Sequence, residues 1–393
     1  MEFSFTEEQQ MIRDTARSFL AEVSSSAAVR GVMGSELGYD PDLWQRVCKE
    51  LYWPAMHIPE AYGGLGLGYV ELVATLEEMG KHLFCSPFFS TVCLGANAVL
   101  LAGTETQKQQ ILPQLIDGVT ASVAYTGASR RSDCASVEGI WERTADGYRL
   151  DGYWRYIPNG HSADVLIVAA RTPFSTGPDG ISLFVVPSDT PGLERNYLPT
   201  MDETRKQAEV YLRDVFLPED ALLGEADQAG QSGECLEKLI ALAAIAVAAD
   251  QVGVAQESLD SSVAYMQERV QFGRVIASYQ ALKHKAADMM LKAEAARSAL
   301  YYAACVADEA LRGGPLGEEL LEAASIAKAY CSDAAFFNAG CGIQLHGGVG
   351  FTEEYDIQLF FKRAKSAETL LGNAAWHREI IASQLLDGEV MGL

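Results

Sequence analysis

The chain has 393 residues, of which 49% are hydrophobic and 21% are charged, so it is long and apolar enough for two or three packed domains and is not a disordered protein. Its 53 acidic and 30 basic residues give a formal net charge of -23, which repels phosphate backbones and argues against a nucleic-acid partner. Any anionic ligand must therefore be held by a few placed Arg or Lys side chains and by helix N-termini.

Residues 1–118 predict an N-terminal α-helical domain. Thr6 precedes Glu7, Glu8 and Gln9, a pattern typical of a capped helix N-terminus. The loop HIPEAYGGLGLG spans 57–68, and helical patterns follow at 69–80, around 90–102 and at 105–116. The run GGLGLG favours a simple glycine turn over a dinucleotide-binding loop, because no predicted strand precedes it and no acidic residue closes a βαβ unit after it.

Residues 119–225 predict a middle β domain. Short β-rich runs such as TASVAYT, DVLIVAAR and QAEVYLRDVFLP alternate with turn residues, and no helix-length period appears between about 119 and 222. This alternation is typical of a β-barrel or a β-sandwich.

Residues 226–393 predict a C-terminal four-helix bundle. The Ala-rich, amphipathic segments lie at 234–268, 278–312, 317–340 and 353–387, and the last of them contains a Leu-Leu-Gly-Asn turn. The order of helices, then strands, then a helical bundle makes the chain an α+β multi-domain protein.

The cysteines, histidines and apolar runs bear on location and metal binding. The eight cysteines are scattered without a C-x-x-C pair and the six histidines show no metal-ligand spacing, so we expect reduced thiols and no metal site. The start MEFSFTEEQQMIRD lacks the charged-then-apolar pattern of a signal segment, and the longest apolar run, at 239–249, is about half the length of a membrane span. These features predict a cytoplasmic protein with no membrane span.

Two junctions in the predicted bundle carry residues suited to a ligand. In ERVQFGRVIASYQ, Arg269 precedes the Phe272-Gly273 break, and Gln280 lies inside the next predicted helix. These residues form either the solvated rim of a helix hairpin or a rigid cation and aromatic ring that hold a phosphate and a flat ring. In QLHGGVGFTEEY, Gln344 precedes glycines that let the backbone approach a ligand; a plain tight turn would explain the glycines but not the Gln.

Together these stretches resemble the acyl-CoA dehydrogenase family over essentially the whole chain. FTEEQQMIRDTARSFLAE is similar to the family's first helix, IPEAYGGLGLG to its Pro-Glu-x-x-Gly-Gly-x-Gly segment, and RVQFGRV and QLHGGVGFTEEY to its two most specific bundle motifs. The resemblance implies the family's α–β–α fold, an FAD cofactor and α,β-dehydrogenation of an acyl-CoA thioester. It also implies that electrons pass to an electron-transfer flavoprotein or a similar acceptor. In that reaction a carboxylate removes the α-proton of the thioester while the β-hydrogen leaves as hydride to flavin N5.

The resemblance assigns residues to one half of an FAD site. In the family, four motif residues reach across a dimer interface and hold the adenosine-diphosphate part of the neighbour's FAD. Here these residues are Arg269, Phe272, Gln344 and Gly348, and Gln280 matches a further patterned position. The sequence keeps this half of the site intact.

The half that would face the chain's own flavin ring departs from the family pattern. In TGASRRSD (126–133), Thr126, Ser132 and Asp133 fit the pattern, whereas three positions depart from it: Gly127, Ala128 and Arg131. In YIPNG, Tyr156 can still stack on the ring, but Pro158 replaces a Thr or Ser near flavin N5 and has neither a hydroxyl nor an N–H group.

Neither of the family's two positions for the catalytic base holds a proton acceptor. The commoner position, before a glycine turn, is Leu371, and the alternative position, on the helix before R-x-x-F-G, is Ala243. Two acids lie nearby in sequence, and their place beside lysines favours solvated helix-surface side chains: Glu368 next to Lys365, and Glu237 next to Lys238.

Some bacterial acyl-CoA dehydrogenases, notably ones that act on steroid side-chain thioesters, are α2β2 heterotetramers in which one subunit type supplies the base. The chain resembles the base-less subunit, which predicts a homologous partner subunit and a steroid side-chain or other bulky acyl-CoA substrate. Two alternatives stay open. One is a self-sufficient homotetramer with an unorthodox base, Glu368 first, and the other is a non-catalytic protein that binds no flavin.

Overall fold

The computed structural model describes residues 5–129 and 131–386, which follow the order of helices, strands and helices that the sequence predicts. The helices are α1 (Glu7–Val23), α2 (Ser26–Met33), α3 (Pro41–Lys49), α4 (Tyr69–Lys81), α5 (Asn97–Ala102), α6 (Glu105–Ile116), α7 (Gly233–Glu268), α8 (Gln280–Arg312), α9 (Leu320–His346), α10 (Ile357–Thr369) and α11 (Ala374–Leu386). The strands are β1 (Ala121–Ala124), β2 (Ile140–Arg143), β3 (Gly147–Pro158), β4 (Val165–Arg171), β5 (Ile181–Pro187), β6 (Leu193–Leu198), β7 (Gln207–Pro218), β8 (Leu222–Leu223), β9 (Val270–Gln271) and β10 (Arg274–Val275).

Two compact units contain the described residues. The first unit consists of the described residues within Met1–Met33, Tyr69–Cys85 and Ala244–Leu386. The second consists of the described residues within Gly34–Gly68 and Ser86–Ala243. Helices from both ends of the chain therefore belong to the first unit. The predicted domain boundaries at 118/119 and 225/226 follow changes in sequence texture and stay a prediction.

Small residues form much of the core of the first unit. One cluster contains Val254 and Ala255 of α7, Ala293 of α8, and Ala335 and Ala339 of α9. Small side chains at these positions let the helices approach each other closely.

The helix ends follow local chemistry. Thr6 caps α1 as predicted: its hydroxyl accepts a hydrogen bond from the Gln9 N–H (3.2 Å), and the Gln9 side-chain oxygen accepts one from the Thr6 N–H (3.0 Å). At the other end of the chain, the turn predicted within 353–387 divides that segment into α10 and α11.

α7 is long and apolar enough, by length and composition, to cross a membrane, although its apolar run at 239–249 is short. Within the structure, however, 94% of its most apolar 18-residue stretch is buried. A helix that is buried on all sides by protein is apolar all round for that reason, so α7 has the character of a core helix.

The second unit contains an eight-stranded sheet with the order β6-β7-β3-β2-β4-β5-β8, in which β1 pairs with β4. β1 runs parallel to β4, whereas β3–β7, β4–β5 and β6–β7 are antiparallel pairs. Large aromatic residues, Trp141, Tyr148, Trp154 and Phe184, belong to its core. In the described part of 119–222 there is no α-helix, as the alternation of short β-rich runs predicts.

Candidate functional site

The turn after α10, residues 370–373, carries the position where the family's base is expected; we call it the base turn. Leu371 has a left-handed backbone with φ 60°, Gly372 follows with φ 96°, and the Leu371 side chain is only 5% exposed. A non-glycine residue in this region costs of order 1 kcal/mol and persists only where the surroundings fix it. The base turn therefore has a defined shape without a proton acceptor.

Two buried residues fix that shape. The Lys328 ammonium donates hydrogen bonds to the carbonyl oxygens of Glu368 (3.2 Å) and Gly372 (2.8 Å). Nε2 of His377 donates to the Leu371 carbonyl (2.9 Å). Burial, together with the nearby Lys328 ammonium, lowers the pKa of His377 to about 3, so its ring is neutral. The sequence analysis missed both residues; a lone Lys within the apolar run AASIAKAYCSDAAF was the available signal.

The other base position and the two nearby acids lie in different environments. Ala243 is fully buried in α7 and cannot accept a proton. Glu368 forms an ion pair with Lys365 (Oε2–Nζ 2.7 Å), as its place beside that lysine suggested, but its side chain is only 26% exposed. The Glu368 carboxylate is thus engaged by a lysine of its own helix.

Glu237 was expected to be a solvated side chain beside Lys238, but in the structure it is half-buried. Burial, and then the carboxylates of Glu234 and Asp133, raise its pKa above the ordinary value. Six residues separate it from Ala243, which on an α-helix means about 9 Å along the axis and a different face. Glu237 is thus an acid with a raised pKa that does not stand where the alternative base would stand.

The first junction of the bundle presents its residues to the outside of the first unit. β9 and β10 form a small hairpin with Phe272 and Gly273 at its tip, at φ 54° and 80°. Phe272 is 93% exposed, and Arg269 and Gln280 are also exposed. The Ile276 N–H donates to the Arg269 carbonyl (2.8 Å), which closes the hairpin. A fully exposed aromatic ring on a constrained backbone is a feature that a binding partner would explain.

The second junction, at the end of α9, lies beside the first. Leu345 packs in one apolar cluster with Met266 and Ile276, which flank the hairpin. Gln344 is exposed, and a Cβ added at Gly348 would meet no atom within 4 Å. The structure therefore brings together the predicted FAD-binding residues at one end of the first unit: Arg269, Phe272, Gln280, Gln344 and Gly348. We call them the FAD-binding group, and their exposure fits an FAD held mainly by another chain.

The residues that the resemblance places beside the chain's own flavin ring lie in the second unit. The Thr126 hydroxyl donates to the carbonyl of Arg155, and Tyr156 has φ 59° at a register shift in β3. Pro158 is buried, and its carbonyl accepts a hydrogen bond from the Ser122 hydroxyl (2.6 Å). Ser132 is half-buried. The Thr126 hydroxyl and the Pro158 carbonyl are thus engaged within the chain.

The loop 126–129 is further closed by a carboxylate. Glu138 accepts hydrogen bonds from the N–H groups of Ala128 (3.0 Å) and Ser129 (2.8 Å). Burial alone would raise the pKa of Glu138, but these donors hold that pKa below its ordinary value. A Cβ added at Gly127 would lie 2.6 Å from Cδ of Glu138, so this side chain fills the space next to Gly127.

Arg131 makes the third departure from the pattern, and it too is engaged locally. Its guanidinium Nε donates to both oxygens of the buried Asp133 (3.0 and 3.1 Å). Ring-side positions that depart from the family pattern are therefore occupied by the chain's own contacts.

Comparisons with known proteins match both ends of the chain to one family. Profiles described as the acyl-CoA dehydrogenase N-terminal domain and C-terminal domain match residues 6–119 and 234–386. The chain is 31% identical to acyl-CoA dehydrogenase IpdE2 of Mycolicibacterium smegmatis, over 93% of this chain and 95% of that protein.

Solved structures agree with this match. Butyryl-CoA dehydrogenase from Megasphaera elsdenii has a TM-score of 0.87 at 29% identity, covering 98% of this chain and 100% of its own. The ChsE4-ChsE5 complex from Mycobacterium tuberculosis has a TM-score of 0.85 at 25% identity, covering 98% and 99%. The Tcur3481-Tcur3483 steroid ACAD has a TM-score of 0.84 at 29% identity, covering 97% and 98%.

Proposed function

The chain belongs to the acyl-CoA dehydrogenase family, and we propose that it is the subunit without a catalytic base in a heteromeric, FAD-dependent acyl-CoA dehydrogenase. One contrast carries the proposal. The FAD-binding group is complete and exposed, whereas Leu371 and Ala243 occupy the two base positions as buried apolar residues. A subunit that completes another chain's flavin site needs the first set of residues and not the second.

The roles of the FAD-binding group follow from its chemistry. Arg269 would pair with the pyrophosphate, because a guanidinium matches phosphate oxygens in charge and geometry. The exposed ring of Phe272 would cover a flat part of the cofactor, and Gly348 would let the backbone come close. FAD, when bound, supplies the acceptor for the β-hydrogen of the substrate. The base that removes the α-proton would belong to the homologous partner subunit.

The substrate and the remaining partners are part of the same proposal. We infer a steroid-derived or other bulky acyl-CoA thioester, supported by the similarity to IpdE2, to the ChsE4-ChsE5 complex and to the Tcur3481-Tcur3483 steroid ACAD. An electron-transfer flavoprotein or a similar acceptor would reoxidise the flavin, and the enzyme would work in the cytoplasm.

The test compares the chain expressed alone with the chain co-expressed with a homologous subunit encoded beside it. We expect the lone chain to purify with little flavin absorbance and no dehydrogenation, and the complex to be yellow and active. A lone chain that carries a full complement of FAD and turns over an acyl-CoA would sink the proposal. A colourless complex would instead favour a protein that has abandoned flavin.

A second candidate is a self-sufficient enzyme with an unusual base. The observation in its favour is Glu237, a half-buried carboxyl whose pKa is raised above its ordinary value by burial and by the carboxylates of Glu234 and Asp133. If the lone chain is active, Glu237→Gln and Glu368→Gln should be compared at equal FAD content. This candidate predicts that Glu237→Gln abolishes turnover; unchanged rates in both variants would exclude both acids.

A further inference from the structure

A cavity of about 330 Å³ lies within the first unit, and its walls are built from that unit alone. Side chains from α2, from the ends of α4 and α9, from α7 and from the start of α10 line it, together with residues just outside these helices. Its volume is at the lower end of the range for small-molecule pockets, roughly 300–1,000 Å³, and is about ten times the share of one water molecule. None of its residues belongs to the FAD-binding group.

Aromatic rings form one side of the cavity. His346 and Tyr355 line it, with ring centroids 6.1 Å apart in an edge-to-face arrangement. Tyr265 stacks on the His346 ring, with the two ring centroids 4.4 Å apart. Phe360, packed in the apolar core cluster, completes the ring-lined part. Such faces attract cations through the ring quadrupole.

A carboxylate forms the polar side. Glu257 lines the cavity, and its side chain is 27% exposed. The ammonium of Lys81 lies 3.7 Å from Glu257 but only 2.7 Å from Asp260, so Asp260 is its closer partner. Asp356 on the adjoining wall is paired with Arg30. Among the residues that line the cavity, the two carboxylates of Glu257 and Asp356 thus outnumber the one ammonium, that of Lys81, by one.

The His346 imidazole offers an acceptor to the cavity rather than a donor. Its Nδ1 lies 2.8 Å from the Gly342 carbonyl. A carbonyl can only accept, so in the neutral ring Nδ1 carries the proton and Nε2 is left as an acceptor. Burial lowers the pKa of His346, which keeps that ring neutral.

We propose that this cavity binds a small organic ammonium ion, with Glu257 as its counter-ion and the rings of His346 and Tyr355 against its alkyl groups. A carboxylate and aromatic faces are the groups that recognise an alkylammonium, and the excess of one acidic over basic side chain in the lining suits a monovalent cation. The site is additional to the proposed function and does not depend on it.

The binding should depend on pH. Burial raises the pKa of Glu257 to about 7, partly opposed by Lys81, while Asp260 and Glu78 raise it further. His82, His346, Tyr355 and Asp356 are the other titratable groups on the cavity walls. Because an ammonium binds the ionised carboxylate, affinity should rise about tenfold between pH 6 and pH 8.

The test uses three probes of the same shape and different charge: choline, its neutral isostere 3,3-dimethyl-1-butanol, and the anion 3,3-dimethylbutyrate. Isothermal titration with the purified full-length chain, alone and in any complex it forms, should show saturable binding of choline only. Equal binding of choline and the neutral alcohol, preferential binding of the anion, or no choline binding at 50 mM (about the weakest range worth calling a site) would overturn the proposal.

Variants locate the site. Glu257→Gln should weaken choline binding at least tenfold, and Tyr355→Leu should weaken it several-fold, which provides a second route if one variant folds poorly. Glu22→Gln removes an exposed carboxylate from α1 and should leave binding unchanged. Choline affinity that is the same in all three variants would place the binding elsewhere and refute the assignment.

Discussion

Leu371 keeps a left-handed backbone although its side chain is a buried leucine. The hydrogen bonds that hold the base turn are made by its carbonyl groups, to Lys328 and His377, and none of them uses the side chain at position 371. The shape of the turn is therefore independent of the residue that the family uses for catalysis. This independence explains how a chain can lose the base and keep the fold.

The pKa of the single residue Glu257 predicts how the stability of the protein depends on pH. Its pKa is raised by burial to about 7, so the folded protein binds this proton more tightly than the unfolded chain does. The free energy of unfolding therefore falls as pH rises from about 4.5 to about 7. Without added ligand, the free energy of unfolding of Glu257→Gln should equal that of the parent near pH 4. At pH 8 it should exceed that of the parent by roughly 1–3 kcal/mol.

Thermal unfolding at pH 4, 6 and 8 measures this difference. Glu22→Gln, which removes an exposed carboxylate, should show no comparable growth of stability with pH. A Glu257→Gln variant that is less stable than the parent at pH 8 would contradict the raised pKa.

Among the elements, α4 and α7 are packed closely enough that two glycines are required. A Cβ added at Gly253 would lie 2.0 Å from the carbonyl oxygen of Glu77, and one at Gly80 would lie 2.2 Å from the carbonyl oxygen of Asp250. Both contacts are with backbone atoms, which cannot rotate away as a side chain would. We expect Gly253→Ala to push the helices apart and to destabilise the protein by roughly 2–3 kcal/mol.

The matched control is Gly31→Ala in α2, where an added Cβ would meet no atom within 4 Å. This change should be neutral or stabilise by up to about 1 kcal/mol, because alanine loses less entropy than glycine in a helix. Melting curves of the two variants test the pair. Equal melting temperatures for Gly253→Ala and the parent would show that the close contact is not needed.

Elements with a long local pattern could be predicted from sequence, and those fixed by distant contacts could not. α1 follows from its cap and its periodicity, α4 follows from its periodicity, and the strands follow from short β-rich runs between turns. No pattern predicted α2 and α3, which have 8 and 9 residues, because such short helices depend on tertiary packing.

The same distinction applies to the candidate site. The FAD-binding group could be proposed from sequence because its residues lie in two short motifs, and its role in binding FAD stays a prediction. Lys328 reaches carbonyl groups 40 and 44 residues away, and the cavity beside Glu257 is assembled from five separate helices. Contacts of that range leave no local signal in one sequence, so these features became visible only in the structure.

At the scale of the whole molecule, the proposed function predicts that some residues are needed to bind FAD and are not needed for the chain to fold. Phe272 is 93% exposed, so its ring contributes little to folding. In the complex with the partner subunit, Phe272→Ala should leave the melting temperature of the flavin-free protein unchanged and weaken FAD binding about tenfold. FAD titration by fluorescence quenching measures that change.

Phe174 provides a matched control for the Phe272→Ala variant. Phe174 lies in the second unit, is fully exposed and has φ 67°, compared with 54° for Phe272. Phe174→Ala makes the same chemical change on the same kind of backbone, and it should keep full FAD affinity. If both variants bind FAD as the parent does, Phe272 takes no part in the flavin site. If both lose it equally, the loss reflects exposed aromatic surface in general and not the motif at 269–273.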